Sequence, residues 1–291
     1  MHFLEASLSR ALGKAVRVDM SSPVSGGSIH EARKISTSEG EFFAKWATHG
    51  PDDIFLREAE GLEALRAASR EIVIPRVLAA AGPSQGVPAH LILEHLPPAT
   101  HAPHKGEETL GRGLAAIHRA TRASFGFDTP SYCGLTRQNN RESATWPEFY
   151  RDRRLRPLLH ELSRRQPLTL AECHVYERLM SRLDALLPRD ASPSLIHGDL
   201  WSGNVLLTTR GPALVDPACA FTDREMEFGI TTLFGGMPSR AFAAYEEAWP
   251  LPLGWRDRNP LYQLYHLLNH AVLFGGHYGY DAHRIAARYA G

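Results

Sequence analysis

The order of hydrophobic patterns predicts an α+β chain built as two unequal lobes. The first third reads as short strands around one helix. A proline-rich stretch then breaks the pattern, and the rest of the chain is mostly helical apart from one small β-rich island. The chain has 291 residues, more than a common single domain, which suits one lobe over residues 1–95 and another over 96–291.

The opening MHFLEASLSRALGKAV reads as an amphipathic helix and lacks the apolar core and small-residue cleavage site of a signal peptide. Residues 16–20 form a candidate strand, 21–28 a turn rich in Ser, Pro and Gly, and 29–35 and 41–46 two further strands. Across 54–66, Phe55, Glu58, Leu62 and Leu65 fall on one helical face. Residues 72–78 and 90–94 are apolar runs of strand length. The segment 96–108 carries three prolines and marks the lobe boundary. Beyond it, Leu110, Leu114 and Ile117 mark a helix, 146–162 and 170–187 two more, 194–215 the β-rich island, and 223 onward helices again.

Composition narrows the function. Apolar residues make up 43% of the chain and charged residues 22%, enough for a sizeable core. Lys plus Arg equals Asp plus Glu at 32 each, so no global field draws the chain to nucleic acid or an anionic membrane. No run of 18 apolar residues exists to span a bilayer. Cys133, Cys173 and Cys219 are odd in number and far apart, which favours a reducing, cytoplasmic setting. No HExxH or Cys/His metal spacing occurs, and His95, His101 and His104 read as a solvated loop.

The chemistry is concentrated in Leu-Ile-His-Gly-Asp-Leu-Trp-Ser-Gly-Asn-Val-Leu-Leu, residues 195–207, followed by Ala-Leu-Val-Asp-Pro at 213–217. His197, Asp199 and Asn204 share a polar loop between two strand-like runs, and Asp216 lies twelve residues beyond Asn204. The spacing HxDxxxxN…D is that of a kinase catalytic loop and its metal aspartate. Phosphoryl transfer needs a carboxylate near the acceptor hydroxyl, a role for Asp199. It also needs hard oxygen ligands for Mg2+ between the ATP phosphates, a role for Asn204 and Asp216. Gly198 and Gly203 let the loop bend, and His197 orders it.

The N-terminal third supplies matching parts. Lys45 shares a strand face with Phe43, and Glu58 lies between Phe55 and Leu62 on its helix. A charge on each apolar face is costly unless the two pair, as phosphate-binding lysine and positioning glutamate do in kinases. Gly26, Gly27 and Ser28 occupy the slot of a phosphate-covering loop, although the stretch is not GxGxxG and a plain hairpin turn would read the same. Glu94, closing its strand-like run, joins the nucleotide-binding set. A GxGxxA string at 111–116 has no strand before it and lies within a helical pattern, so it is read as a decoy for dinucleotide binding. No GxxxxGK[ST] occurs, which excludes a P-loop.

His-Gly-Asp-Leu-Trp-Ser-Gly-Asn at 197–204 resembles the signature of the fructosamine kinase (ketosamine-3-kinase) family, whose fold is similar to protein kinases and aminoglycoside phosphotransferases. Ser-Gly-Gly-Ser at 25–28, Phe-Leu-Arg-Glu-Ala-Glu-Gly-Leu at 55–62, Asp-Arg-Glu-Met-Glu at 223–227, Leu-Phe-Gly-Gly at 233–236 and Tyr-Gln-Leu-Tyr-His-Leu-Leu-Asn-His at 262–270 extend the resemblance over nearly the whole chain. It implies a bilobal, protein-kinase-like fold and transfer from ATP, with Mg2+, to the 3-hydroxyl of a small or protein-attached ketosamine, a deglycation step. It also implies a substrate contact for Trp201, whose other reading is loop anchoring. Asp223, Glu225 and Glu227 read as solvated or helix-start charges ahead of contacts to a cationic amine. A kinase for an aminoglycoside, choline or free sugar is the neighbouring alternative, and an inactive nucleotide-binding scaffold the alternative from another class.

Overall fold

The computed structural model describes residues 1–24, 30–99 and 103–291. The sequence-predicted phosphate-covering residues Gly26, Gly27 and Ser28, and His101 of the proline-rich segment, lie outside these.

Helix α1 (His2–Leu12) ends on Gly13, whose φ of 67° is the left-handed conformation glycine adopts without penalty. Five strands come next, β1 (Val18–Pro23), β2 (Glu31–Thr37), β3 (Gly40–Ala47), β4 (Val77–Ala81) and β5 (Ala89–Glu94), with α2 (Ile54–Ala68) between β3 and β4. They form an antiparallel sheet in the order β1-β2-β3-β5-β4. The two-residue period of β3 sorts its side chains. Phe42, Ala44 and Trp46 pack with Leu4 and Leu8 of α1 on one face. Phe43 and Ala47 pack on the other, with Phe55, Leu62 and Leu65 of α2. Lys45 is carried into that second face by the same alternation.

In the small lobe, two boundaries differ in kind from the sequence reading. Ser21, Ser22 and Pro23 were expected in a turn but continue β1, paired with Ile35, Lys34 and Arg33. An edge strand tolerates polar residues and a proline, so turn-like composition does not break it. The run 72–78 becomes strand only from Val77. Val73 instead bridges to Ala213 in the other lobe, with Val73 N–H on Pro212 O and Leu214 N–H on Val73 O.

Helix α3 (Pro103–His118) begins inside the predicted linker, with proline at its first turn, where a missing N–H costs nothing. The hairpin β6 (Ser131–Cys133)–β7 (Thr136–Gln138) leads to α4 (Trp146–Phe149), a π-helical turn over Tyr150–Leu155, and α5 (Arg156–Arg165). Pro157 cannot donate to the carbonyl of Arg153, and Arg154 Nη1 donates to it instead at 3.2 Å. The buried Arg154 also donates to Asn139 O and Asn140 Oδ1 and lies 4.5 Å over the Phe149 ring, so it anchors the chain that leaves the hairpin.

After α6 (Leu170–Leu186) come β8 (Ser194–Ile196), β9 (Val205–Thr208), β10 (Gly211–Leu214) and β11 (Ala220–Thr222). β9 pairs with β10, and β8 with β11. The remaining chain folds as α7 (Glu225–Phe234), α8 (Ser239–Ala248), α9 (Trp255–Phe274) and α10 (Tyr278–Ala290). Tyr262, Tyr265 and Leu268 of α9 meet Trp146, Phe149 and Tyr150 in the core of this lobe. No helix among the described residues is long and apolar enough to cross a membrane.

The GxGxxA string lies wholly within α3, where its glycines serve close packing. A Cβ on Gly111 would stand 2.0 Å from the carbonyl oxygen of Ala241 in α8, and one on Gly113 2.4 Å from Ile72 Cγ1. Helix propensity favours Gly111→Ala by about 1 kcal/mol, but the clash is with backbone, which cannot rotate away. The substitution should destabilise the protein by about 2 kcal/mol or more, read as a lower urea midpoint. An unchanged or raised midpoint would show that α3 and α8 are not in such close contact.

Candidate active site

Lys45, Glu58 and Asp216 meet where β3, α2 and the segment after β10 converge. Lys45 Nζ lies 2.6 Å from Glu58 Oε2 and 2.8 Å from Asp216 Oδ1. The predicted Lys45–Glu58 pair is therefore present, and its extension to Asp216 is a contact the sequence reading did not contain. The Lys45 side chain is 6% exposed and that of Glu58 11%, whereas 47% of Asp216 faces the cleft. Burial alone would depress the ammonium, but the charges of Asp216 and Glu58 reverse this and raise its pKa. One cation stands between two carboxylates, and the surplus negative charge falls on the more deeply buried one. Burial, with Asp216 nearby, pushes Glu58 up to about 7 against the pull of Lys45. Desolvation also acts on Asp216, but Lys45 outweighs it and holds that carboxyl below its usual range. Asp216 has φ 57°, a left-handed conformation uncommon outside glycine and of the kind that gathers at functional sites.

The loop between β8 and β9 presents Asp199 and Asn204. Asn204 Nδ2 donates to the Asp199 carbonyl at 2.8 Å and to its Oδ2 at 3.2 Å, which turns the amide oxygen away as the atom able to bind a cation. His197 is buried and neutral, donating from Nε2 to Val215 O and accepting at Nδ1 from Asp199 N–H. Burial lowers its pKa, in keeping with an ordering role. Gly198 has φ 81°, and a Cβ there would lie 2.3 Å from Ala218 O. Gly203 is needed for a different reason than bending: a Cβ would strike the Trp201 ring at 2.3–2.8 Å. Trp201 is thus laid over Gly203, and it remains 36% exposed.

Several contributors escaped the sequence reading. Asp223, Glu225 and Glu227, read as solvated or helix-start charges, are buried. The Glu227 carboxylate accepts the backbone N–H groups of His197 at 2.6 Å and Gly198 at 3.0 Å, fixing the loop between β8 and β9 from below. Glu225 forms a two-bond pair with Arg258 at 2.6 and 2.9 Å, and Asp223 accepts from Tyr262 Oη at 2.5 Å. Their only signal was acidic residues crowded at the start of an otherwise apolar helix. Cys133 is the other omission. Its thiol donates to Asp199 Oδ1 at 3.7 Å and accepts from Asn269 Nδ2 at 3.3 Å. Glu94 stands apart from the cluster, its carboxylate accepting from Arg76 N–H and pairing with Arg210 at 2.9 Å.

This arrangement places a half-buried carboxylate beside two oxygen donors suited to a hard cation, with a lysine held nearby. A family model, fructosamine kinase, matches residues 1–290. The chain belongs to the fructosamine kinase family. It is 37% identical over 256 residues to a probable ketoamine kinase of Vibrio parahaemolyticus, covering 88% of this chain and 87% of that one. A probable ketoamine kinase of Lactiplantibacillus plantarum is 36% identical over 270 residues, 92% and 93% of the two chains. A crystal structure assigned as a fructosamine-3-kinase, from Thermobifida fusca, superposes with a TM-score of 0.85 at 32% identity over 99% of each chain. The aminoglycoside phosphotransferase APH(4)-Ia shares the fold at a TM-score of 0.63 and 17% identity, over 99% of this chain and 96% of that one. The fold is accordingly the bilobal, protein-kinase-like α+β architecture, and membership of the family carries kinase, a phosphotransferase, as the class of activity.

Asp199 is pushed up to about 7 by burial and by Asp216, against its ordinary value of 3.8. The sign comes from linkage: stability is full below 3.8 and is lost as pH rises through 7, because the fold then holds an unwanted charge. Asp199→Asn removes that charge. In EDTA it should melt several degrees above wild type at pH 8, with the gap closing toward pH 4. Equal melting temperatures across this range would contradict the upward shift.

Proposed function

We propose that the protein transfers the γ-phosphate of ATP to the 3-hydroxyl of a ketosamine, a sugar joined to an amine, and so acts in deglycation. The observation that carries this reading is the meeting of Lys45, Glu58 and Asp216 across the two lobes, beside Asp199 and Asn204, in a chain of the fructosamine kinase family. Residues 1–95 would hold the nucleotide and 96–291 the acceptor.

Asn204 and Asp216 offer an amide oxygen and a carboxylate, a donor set that fits Mg2+. Held by these two residues, the ion would supply positive charge to offset that of the phosphates. Lys45 would exchange its bond to Asp216 for the α- and β-phosphates, and Glu58 would keep the ammonium in place through that exchange. Gly26, Gly27 and Ser28, which fall between β1 and β2 in sequence, would cover the phosphates. Asp199 would orient the acceptor hydroxyl and take its proton, for which its raised pKa is suitable. The exposed ring of Trp201, two residues on, offers an apolar face to the sugar. Glu94 would enter through its backbone, since Arg76 and Arg210 occupy its carboxylate.

An ATP-consumption screen across ribulose-, erythrulose- and fructose-lysine adducts tests the substrate class, with aminoglycosides and choline as competitors. Turnover confined to the competitors would overturn the ketosamine assignment. Asp199→Asn should lower turnover by on the order of 10²–10⁴-fold while nucleotide still binds; a variant within a few fold of wild type would exclude it as the base. Asp216→Ala should weaken Mg·ATP binding in calorimetry, and an unchanged affinity would argue against a metal role. Lys45→Met should depress turnover strongly and Glu58→Gln less, because the glutamate acts only through the lysine; the reverse order would contradict the roles given.

A further inference from the structure

A second set of donors meets the carboxylate of Asp199. Cys133 arrives from β6 and His266 from α9, and one ligating atom from each of Cys133, Asp199 and His266 lies within 4.8 Å of the others. Cys133 is 3% exposed and His266 1%. Among the described residues the buried Nδ1 atom of His266 has no hydrogen-bond partner, a state that is uncommon for a buried polar atom. Thiol and imidazole favour a borderline cation of the zinc class, which also accepts a carboxylate, and the three donors come here from three separate parts of the chain.

We propose that Cys133, Asp199 and His266 form a binding site for a divalent cation of the zinc class, which captures the catalytic carboxylate and holds the kinase inactive. Three protein ligands leave the fourth tetrahedral position for water. Metal–ligand distances of about 2.0–2.3 Å set neighbouring donors about 3.3–3.8 Å apart, so the trio closes by roughly 1 Å from its present spacing. Asp199 is the least buried of the three, so a side-chain rotation there, on a fixed backbone, is the movement that closes the site. The charges balance: the thiol releases its proton to solvent, and thiolate plus carboxylate neutralise a dication in a site that disfavours net charge. Asn269 Nδ2, donating to Cys133 Sγ at 3.3 Å, supports the thiolate from behind.

Hard and soft ligands sort the two cations. Mg2+ prefers oxygen and an octahedral shell, which suits Asn204 and Asp216, whereas sulfur and nitrogen disfavour it. Inhibition should therefore resist excess Mg2+. The inhibitory consequence rests on Asp199 acting as the base, but cation binding does not, so the two readings fail separately.

Co2+ is the spectroscopic probe, added to the nucleotide-free full-length protein, with Zn2+ as competitor. One Co2+ should bind per chain with a thiolate-to-cobalt absorption in the near ultraviolet, and one equivalent of Zn2+ should abolish the band. With free Zn2+ fixed by a metal buffer and Mg2+ in excess, turnover should fall more than tenfold and return on chelation. Cys133→Ser should lose the band and reduce the zinc effect at least tenfold, each variant being compared with itself without zinc. His266→Gln should weaken binding about 10–100-fold, and serves should the cysteine variant fail to fold. Cys173→Ser, at a half-buried thiol outside the cluster, should retain the band. A band that survives in Cys133→Ser, no stoichiometric binding by the folded protein, or inhibition relieved in proportion to added Mg2+ would each overturn the site. An enzyme inactive on every ketosamine tested would leave the cobalt band to decide it.

Discussion

The ammonium of Lys45 is the point on which the two lobes agree. It leaves β3, pairs with Glu58 of α2 and reaches Asp216 in the other lobe. Buried charge is tolerated only when partnered, so the three residues constrain one another. The sheet must present Lys45 toward α2, the helix must turn Glu58 inward, and the segment after β10 must bring Asp216 across. That last requirement is met with a left-handed backbone at Asp216 and with the bridge between Val73 and Ala213, which fixes β10 against the small lobe. An ion pair of one cation and two anions is not at rest. The carboxylates outnumber the cation, and burial with the nearby charge of Asp216 raises the pKa of Glu58.

Beneath the loop that carries Asp199, a second buried network has a complementary role. Glu227 accepts two successive backbone N–H groups, and His118 stands 3.5 Å away, linked in turn to Tyr245. Arg224 joins the same Tyr245 and lies 3.8 Å over the Trp249 ring. These groups touch no predicted substrate position. They hold the backbone of His197 and Gly198 rigid, so the carboxylate of the next residue keeps its place without a strong bond of its own. Among the described residues the Asp199 carboxylate is bonded by the side chains of Asn204 and Cys133 alone, too little to offset burial and the nearby charge of Asp216, which raise its pKa.

Family and fold place this chain among phosphotransferases that share one framework. The framework is legible in where glycine is required. Gly198 needs positive φ beside Ala218, Gly203 yields its volume to Trp201, and Gly111 yields its own to α8. Three glycines with three distinct steric reasons read alike in a sequence, and only one of them serves conformational freedom.

Residue order alone was enough for the two-lobed α+β plan, the Lys45–Glu58 pair and the grouping of His197, Asp199, Asn204 and Asp216. Those features are local: each strand or helix shows its period, and the loop residues lie within a short span. Asp223, Glu225 and Glu227 were read as solvated or helix-start charges; Glu225 and Glu227 do open α7, but all three are buried, because their partners, Tyr262, Arg258 and the loop backbone, are remote in the chain. Cys133 and His266 went unnoticed for the same reason, since no metal-like spacing links residues that far apart. The turn expected at Ser21 became strand because an edge position accepts what a central strand refuses. Tertiary structure decided burial, and burial decides whether a charged side chain is surface or machinery. Periodicity reports which face is apolar, but not which distant group arrives to satisfy the polar residue set within it.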